Sequence, residues 1–489
     1  MPTDQTMAAD HHCRQGDAYR QARQWAEAQR CYEQALQLQP SHAQACFGLG
    51  SLYLSQGRWA EAAAWFREVI RLRPDVAAAY CNLGNALAGQ GRFEEAAAAF
   101  TAALQLQPGS ADLLRRRRTV LDQLGRLAEA EADARALLDL RPGDAAAHAA
   151  LADLLRRQGR WADALAECDA AIRLQPDLAD AHGTRALVWL TLGDYERGWP
   201  EYEWRWRCAD FAQAAVPRPR WDGSPLRGQA VLLQAEQGLG DTLQFIRYAP
   251  LVQERGGVVI AAVPPALRRL LQSCRGIDRL VNLGEPVVCA LWAPHLSLPG
   301  IFQTTVATVP ADVPYLAAEE ALVEAWRQVL GPYRGLTIGV AWQGSTGFRG
   351  DHLRSFPLAR LAPLAALPGV RLVSLQKGPG SDQVGTVDFP ILDLGPRLDE
   401  SSGAFVDTAA VLRSLDLLVT VDTALAHLAG ALAVPTWVAL PYVPNWRWLL
   451  DRDDSPWYPT ARLFRQPRPG DWEAVFVRMA DELRRRLRP

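Results

Sequence analysis

The sequence predicts a multidomain chain: an all-α repeat solenoid followed by an α/β region of two parallel-sheet lobes. Three observations carry this reading. A 34-residue period runs through the first 200 residues, short apolar runs alternate with helical stretches in two series from residue 229, and 489 residues leave room for several cores. An apolar fraction of 49% and a charged fraction of 22% are those of a globular chain, not a disordered one. Net charge is −2, from 52 basic and 54 acidic residues, so a nucleic-acid partner is not expected. No apolar run reaches the roughly 18 residues of a membrane helix, so no transmembrane segment is expected. The N-terminus lacks a basic start followed by an apolar stretch, and the 8 cysteines form no C-x-x-C pair. A cytoplasmic chain with reduced thiols is the expectation.

The repeat region is placed at residues 9–198. Prolines fall at 40, 74, 108, 142 and 176, and glycines at 57, 91, 125, 159 and 193, each 34 from the last. Ala28, Ala62, Ala96, Ala130 and Ala164 keep the same step, with Tyr32, Phe66 and Phe100 four residues after the first three. The physics is a helix–turn–helix unit: Gly ends the first helix, Ala lets the second approach, the ring fills the groove and Pro ends the unit. The pattern resembles the tetratricopeptide repeat, with five full units to about 178 and a partial sixth. Arg118 and Ala152 depart from it at the first-helix Gly. Such an array stacks into a solenoid with a concave groove, open to two readings: a surface for a protein or peptide, or a spacer or dimerisation element.

Residues 199–228 form a junction in which Trp199, Trp204, Trp206 and Trp221 crowd a short span, with Pro217, Pro219 and Gly223 marking a loop. It reads as an interdomain joint or as a sugar-stacking platform.

Two strand–helix series follow, at 229–325 and 326–489. Runs at 230–235, 258–263, 280–283 and 287–291 read as strands of the first lobe. Runs at 336–342, 370–375, 390–394, 415–421 and 436–440 read as strands of the second, with helices at 358–366, 406–414 and 423–433. Alternation implies parallel sheets, whose ligands sit outside the carboxyl ends of the strands.

Chemistry-bearing residues gather at those ends. After the first strand, Gln237, Gly238, Gly240 and Asp241 form a tight turn into a helix, with Asp241 a cap or a cleft carboxylate. Val419 to Ala431 again joins strand to helix. There Asp422 and Thr423 lie where free amides hold an anion, and His427 follows one turn in. Gly344, Ser345 and Arg354 lie on a long loop suited to phosphate contact, or are a solvated surface loop. Gln376 and Lys377 end another strand. Lys377 is the one lysine among the 52 basic residues, either a relic of arginine bias or a place where a guanidinium fork will not fit. There is no Walker-type G-K-S/T, and Leu243 stands where a dinucleotide fingerprint needs its third Gly.

The stretches EQGLGDTLQFIRYA, DHLRSFP, SLQKG and VDTALAHLAGA resemble the heptosyltransferase-like (family 9) glycosyltransferases, over about residues 225–470. The combination with repeats is similar to bacterial tetratricopeptide glycosyltransferases. The tail segments N-W-R-W, W-Y-P and D-W, at 445–448, 457–459 and 471–472, look typical of that group. The resemblance implies a two-lobed GT-B fold, acceptor side first and nucleotide-sugar side second. It implies Asp241 as base, Arg354 as diphosphate clamp, and Asp422, Thr423 and His427 at the donor phosphates. Ala424 and Arg354 stand where the heptosyltransferases have Gly and Lys, which bears on the sugar more than on the reaction. The expectation is an inverting, metal-independent transferase needing no cofactor beyond its nucleotide-sugar substrate. Asp241, Lys377 and His427 are the expected catalytic groups. The donor side is assigned to Gly344, Ser345, Arg354, Gln376, Asp422 and Thr423, and the acceptor loop to Gln237, Gly238 and Gly240. A non-catalytic repeat scaffold with a degenerate transferase-like region is the alternative.

Overall fold

The computed structural model describes residues 4–208, 218–348 and 350–487. The chain divides into two compact units, Met1–Thr184 and Arg185–Pro489.

The first unit is helical: α1 (Asp4–Gln21), α2 (Trp25–Leu38), α3 (Ala43–Ser55), α4 (Trp59–Leu72), α5 (Ala77–Gly89), α6 (Phe93–Leu106), α7 (Ala111–Gln123), α8 (Leu127–Leu140), α9 (Ala145–Arg157) and α10 (Trp161–Leu174), with the start of α11 (Ala179–Thr191). From the second repeat on, each first helix is followed by a glycine of the 34-residue series; after α1 the same place is held by Arg23, at φ 58°. Gly57, Gly91, Gly125 and Gly159 adopt φ of 71°, 74°, 70° and 76°, the left-handed conformation that closes a helix cheaply only without a Cβ. The residue just before the next helix is Arg58, Arg92, Arg126 or Arg160, each reaching the acid three residues on: Glu61, Glu95, Glu129 or Asp163. The recurring ring packs on a recurring glycine. A Cβ on Gly50 would lie 2.9 Å from the Phe66 ring, and one on Gly84 2.7 Å from Phe100. The fourth repeat exchanges both partners. Arg118 replaces the glycine and Ala134, fully buried, replaces the ring, so volume removed from one helix returns on the other. Arg118 is half-buried, and desolvation lowers its pKa.

The second unit begins inside α11, earlier than the boundary expected at residue 199. The cause is aromatic. Tyr195 and Trp199 of α12 (Tyr195–Tyr202) pack on Trp446 at 6.4 and 5.3 Å between ring centres, and the Trp457 indole donates to the Tyr195 hydroxyl. Two parallel sheets follow. The smaller comprises β1 (Ala230–Gln234), β2 (Val258–Val263), β3 (Arg279–Asn282) and β4 (Leu291–Pro294), in spatial order β3-β2-β1-β4. Its helices are α13 (Leu239–Phe245), α14 (Ala249–Gln253), α15 (Arg268–Leu271) and α16 (Leu298–Ile301), with α17 (Glu320–Leu330) leading to the second sheet. The larger comprises β5 (Leu336–Ala341), β6 (Val370–Ser374), β7 (Ile391–Asp393), β8 (Leu417–Val421), β9 (Thr436–Leu440) and β10 (Ala461–Arg465), in order β10-β9-β8-β5-β6-β7. Its helices are α18 (Asp351–Arg354), α19 (Ala362–Ala365), α20 (Val406–Leu412), α21 (Ala424–Ala431) and α22 (Trp472–Leu487). Central strands β8 and β9 are buried at every position, as a sheet covered on both faces requires.

The run expected as a strand at 287–291 is mostly loop; β4 begins at Leu291, and Val288 is 89% exposed. Strand β10 was not anticipated, because its alternating A-R-L-F-R lacks the continuous apolar run used to find the others. Among the described residues no helix is long and apolar enough to cross a membrane.

Candidate functional site

The central order β8-β5-β6 fixes the larger half of the site. Ala341 pairs with Thr420, and Val340 with Ser374, so the turns after all three strands leave one sheet edge side by side. Asp422 and Thr423 follow β8, Gly344 and Ser345 follow β5, and Gln376 and Lys377 follow β6.

Arg354 ties two of these turns together. Its Nη1 donates to the carbonyl of Asp422 at 2.6 Å and its Nε to Asp351 Oδ1 at 3.0 Å, while Phe348 lies under the guanidinium at 4.5 Å. Gly344 is required by this crossing. A Cβ there would lie 2.5 Å from Arg354 Nη2 and collide with Asp351. Thr423 precedes α21 in extended conformation, φ −137°, and its hydroxyl makes no cap bond. Beside Arg354 opens a cleft of about 540 Å³, lined by Gln343, Thr346, Phe348, His352 and Gln383 among others, within the size range of small-molecule sites.

The smaller sheet supplies the facing wall. Gln237 turns the chain at φ 61° and donates to the Tyr202 hydroxyl at 3.2 Å. Gly240 then brings α13 against α21: a Cβ on it would lie 2.9 Å from the His427 ring and 3.3 Å from Ala424 Cα. Asp241, one residue on, accepts the Gly238 amide on Oδ2 at 3.0 Å and pairs through Oδ1 with Arg447. The structure therefore gathers Gly240, Asp241, Gly344, Arg354, Asp422, Thr423 and His427 around the abutting starts of α13 and α21.

Three expected roles change. Gln376 is no donor contact: its Oε1 accepts the amides of Trp342 and Gln343, both at 3.0 Å, and its Nε2 donates to the carbonyls of Gln343 and Pro379. Every strong valence of that buried amide is spent on stapling two loops. Lys377 turns its ammonium to the carbonyl of Leu398, beyond β7, whereas Arg354 and Asp422 lie on the β8 side of β5. His427 is buried, with Nδ1 2.9 Å from the Tyr458 hydroxyl and its ring parallel to Trp448. Burial, reinforced by Arg447, Arg247 and Arg354, holds its pKa well below 6.5. It is a neutral imidazole at pH 7, which suits a wedge better than a proton carrier. Asp422 is pushed the other way, its carboxyl raised by burial. Ser345 is exposed on the same loop, its hydroxyl accepting the Gly347 amide at 3.3 Å.

Sequence reasoning gave no role to three arginines. Arg447, from N-W-R-W, donates to Gln244 at 2.6 Å and to Asn445 at 2.9 Å besides Asp241, and lies 4.4 Å over the Trp446 ring. Arg247 is spent on the Gln244, Trp457 and Pro310 carbonyls and the Tyr315 hydroxyl. Arg205 pairs inside the protein with Glu236, just before the glycine turn. Clustering of Trp with Arg was the available signal for all but Arg247. In the junction, Arg220 sits 4.8 Å from Trp206 and 5.3 Å from Trp292, and Arg207 lies 4.4 Å over Trp204. Ring faces covered by guanidinium favour the joint over the sugar platform. Residues 209–217, including Pro217, lie outside the described residues.

Tetratricopeptide repeat models match residues 13–77, 77–110, 119–179 and 150–202, so the helical region is a tetratricopeptide array. The protein FlbA of Caulobacter vibrioides is 29% identical over 330 residues, covering 61% of this chain and 54% of its own length. That match is longer than the array, and the chain spans about half of the relative. Among solved structures, YrrB, described as a TPR protein with an unusual peptide-binding site, is 24% identical with a TM-score of 0.33, covering 34% of this chain and 86% of its own. PilF of Pseudomonas aeruginosa is 20% identical with a TM-score of 0.36, covering 42% and 95%.

Proposed function

We propose that the α/β unit is a glycosyltransferase that moves a sugar from a nucleotide-activated donor, and that the tetratricopeptide array binds a protein or peptide, as acceptor or as partner. The observation that carries the first part is the convergence of Arg354, the start of α21 and the Asp241 turn on one place. Glycosyl transfer needs a base for the incoming hydroxyl and positive charge for the departing diphosphate. In this reading Asp241 takes the hydroxyl proton and the acceptor oxygen bonds to the anomeric carbon. The bond from that carbon to phosphate breaks, and the nucleoside diphosphate leaves with the electron pair. Arg354 and the free amides of α21 receive its charge. Attack from the side opposite the leaving group inverts the anomeric centre.

One observation favours the alternative of a non-catalytic scaffold: both carboxylate oxygens of Asp241 already have partners within the chain. Calorimetric titration of the full chain with UDP, GDP, ADP and TDP separates the two. Micromolar binding of one supports the transferase; binding of none supports the scaffold.

A further inference from the structure

Among the described residues, Arg447 is the one cation that pairs with the proposed base. It lies between β9 and β10 of the larger sheet, yet its three guanidinium nitrogens hold Asp241 and Gln244 on α13 of the smaller sheet, and Asn445 beside it. Trp446 at 4.4 Å and Phe245 at 5.5 Å fix the guanidinium plane, and the residue is 6% exposed. Asp241 keeps 18% of its side-chain surface open. A carboxylate held at Oδ1 by one nitrogen of an anchored guanidinium and at Oδ2 by the Gly238 amide is fixed in orientation, but Oδ2 keeps a lone pair.

We propose that Arg447 is a positioning residue for the transfer reaction: it locks the Asp241 carboxylate in the orientation that receives the acceptor proton, without itself holding the donor. This rests on the transferase reading above. Arg354 and the α21 amides bind the diphosphate, so Arg447 acts on turnover through Asp241 alone.

The test uses the full chain, with UDP-, GDP-, ADP- and TDP-sugars as donors and water as acceptor. In donor hydrolysis Asp241 takes one water proton, the water oxygen bonds to the anomeric carbon, and the nucleoside diphosphate departs with the electron pair. Nucleoside diphosphate release is measured for Arg447→Lys, Arg447→Gln, Asp241→Asn and the Asp241→Asn/Arg447→Gln double variant. Arg447→Gln is expected to lower kcat about 100-fold, the scale of a general base, with donor KM within about twofold. Arg447→Lys falls between, because an ammonium supplies charge without the fork. In the Asp241→Asn background Arg447→Gln changes nothing further. Millimolar guanidinium restores part of the turnover of Arg447→Gln and none of Asp241→Asn. Circular dichroism melts identify a variant that fails to fold, for which Arg447→Lys carries the comparison. Unchanged kcat, a loss confined to KM, or additive losses in the double variant overturn the proposal. If the wild-type chain binds none of the four nucleoside diphosphates and releases none, the transferase reading itself falls; nucleotide binding with normal turnover in Arg447→Gln refutes the positioning role alone.

Discussion

The Arg354 guanidinium donates to the backbone carbonyl of Asp422 at 2.6 Å, bridging the loop after β5 and the turn after β8. Its Nη2 rests over Gly344, where no side chain can stand. The cation that would face a diphosphate is thus built into the floor that would carry it. Arg354→Ala is expected to weaken nucleoside diphosphate binding at least tenfold by calorimetry, since charge-assisted bonds contribute about 1.5–3 kcal/mol. Arg354→Lys recovers little, because an ammonium cannot reach Asp351 and Asp422 together. Equal affinity in all three proteins would remove Arg354 from the site.

Gln376 predicts a stability effect. Truncating an amide that makes four bonds to backbone orphans two buried amides and two carbonyls. Gln376→Ala should lower the unfolding free energy of the α/β unit by about 2–4 kcal/mol, read from urea titration. A midpoint indistinguishable from wild type would mean that the two loops are held by other contacts.

Two buried histidines predict acid lability. His295 is fully buried and its pKa is pushed down to about 4, and His427 is held well below 6.5. Each stays neutral in the folded chain while the unfolded chain takes up a proton near 6.5. The stability they support is complete above that value and lost as pH falls toward the folded one. Between pH 7.5 and 5 His295 should account for a loss of about 2 kcal/mol. Asp422, raised by burial, works in the opposite sense at the acid end, and comparison with His295→Phe cancels its share. The pH slope of the variant should be shallower; identical slopes would contradict a neutral buried His295.

The array predicts a compensating pair. Gly84→Leu drives a side chain into the Phe100 ring and should cost several kcal/mol, within the range of about 1–3 for ordinary overpacking or above it. Gly84→Leu with Phe100→Ala should cost less than the sum of the singles, following the exchange already present at Arg118 and Ala134. Additive losses, measured as shifts in Tm, would show that ring and glycine do not share one space.

The fold was legible where one physical constraint repeats. Glycines 34 apart had to close helices, and apolar runs such as 417–421 had to lie in a covered sheet. At strand ends, sequence position located Asp422, Gly344 and Asp241 but not the partners of each side chain. Gln376 and Lys377 shared one motif with the donor loops, yet hydrogen bonding spent the first on backbone and turned the second toward Leu398. Arg447 lies 206 residues from Asp241, and no local pattern reports a pairing that only folding creates. The resemblance that singled out N-W-R-W assigned it no role.

Turnover of the nucleotide-sugar panel by wild-type chain and Asp241→Asn, followed as nucleoside diphosphate release, tests the central claim most directly. The account predicts release from one nucleotide class by the wild type, a fall of at least about 100-fold in Asp241→Asn, and unchanged nucleotide affinity in the variant. Equal release by both proteins would contradict it.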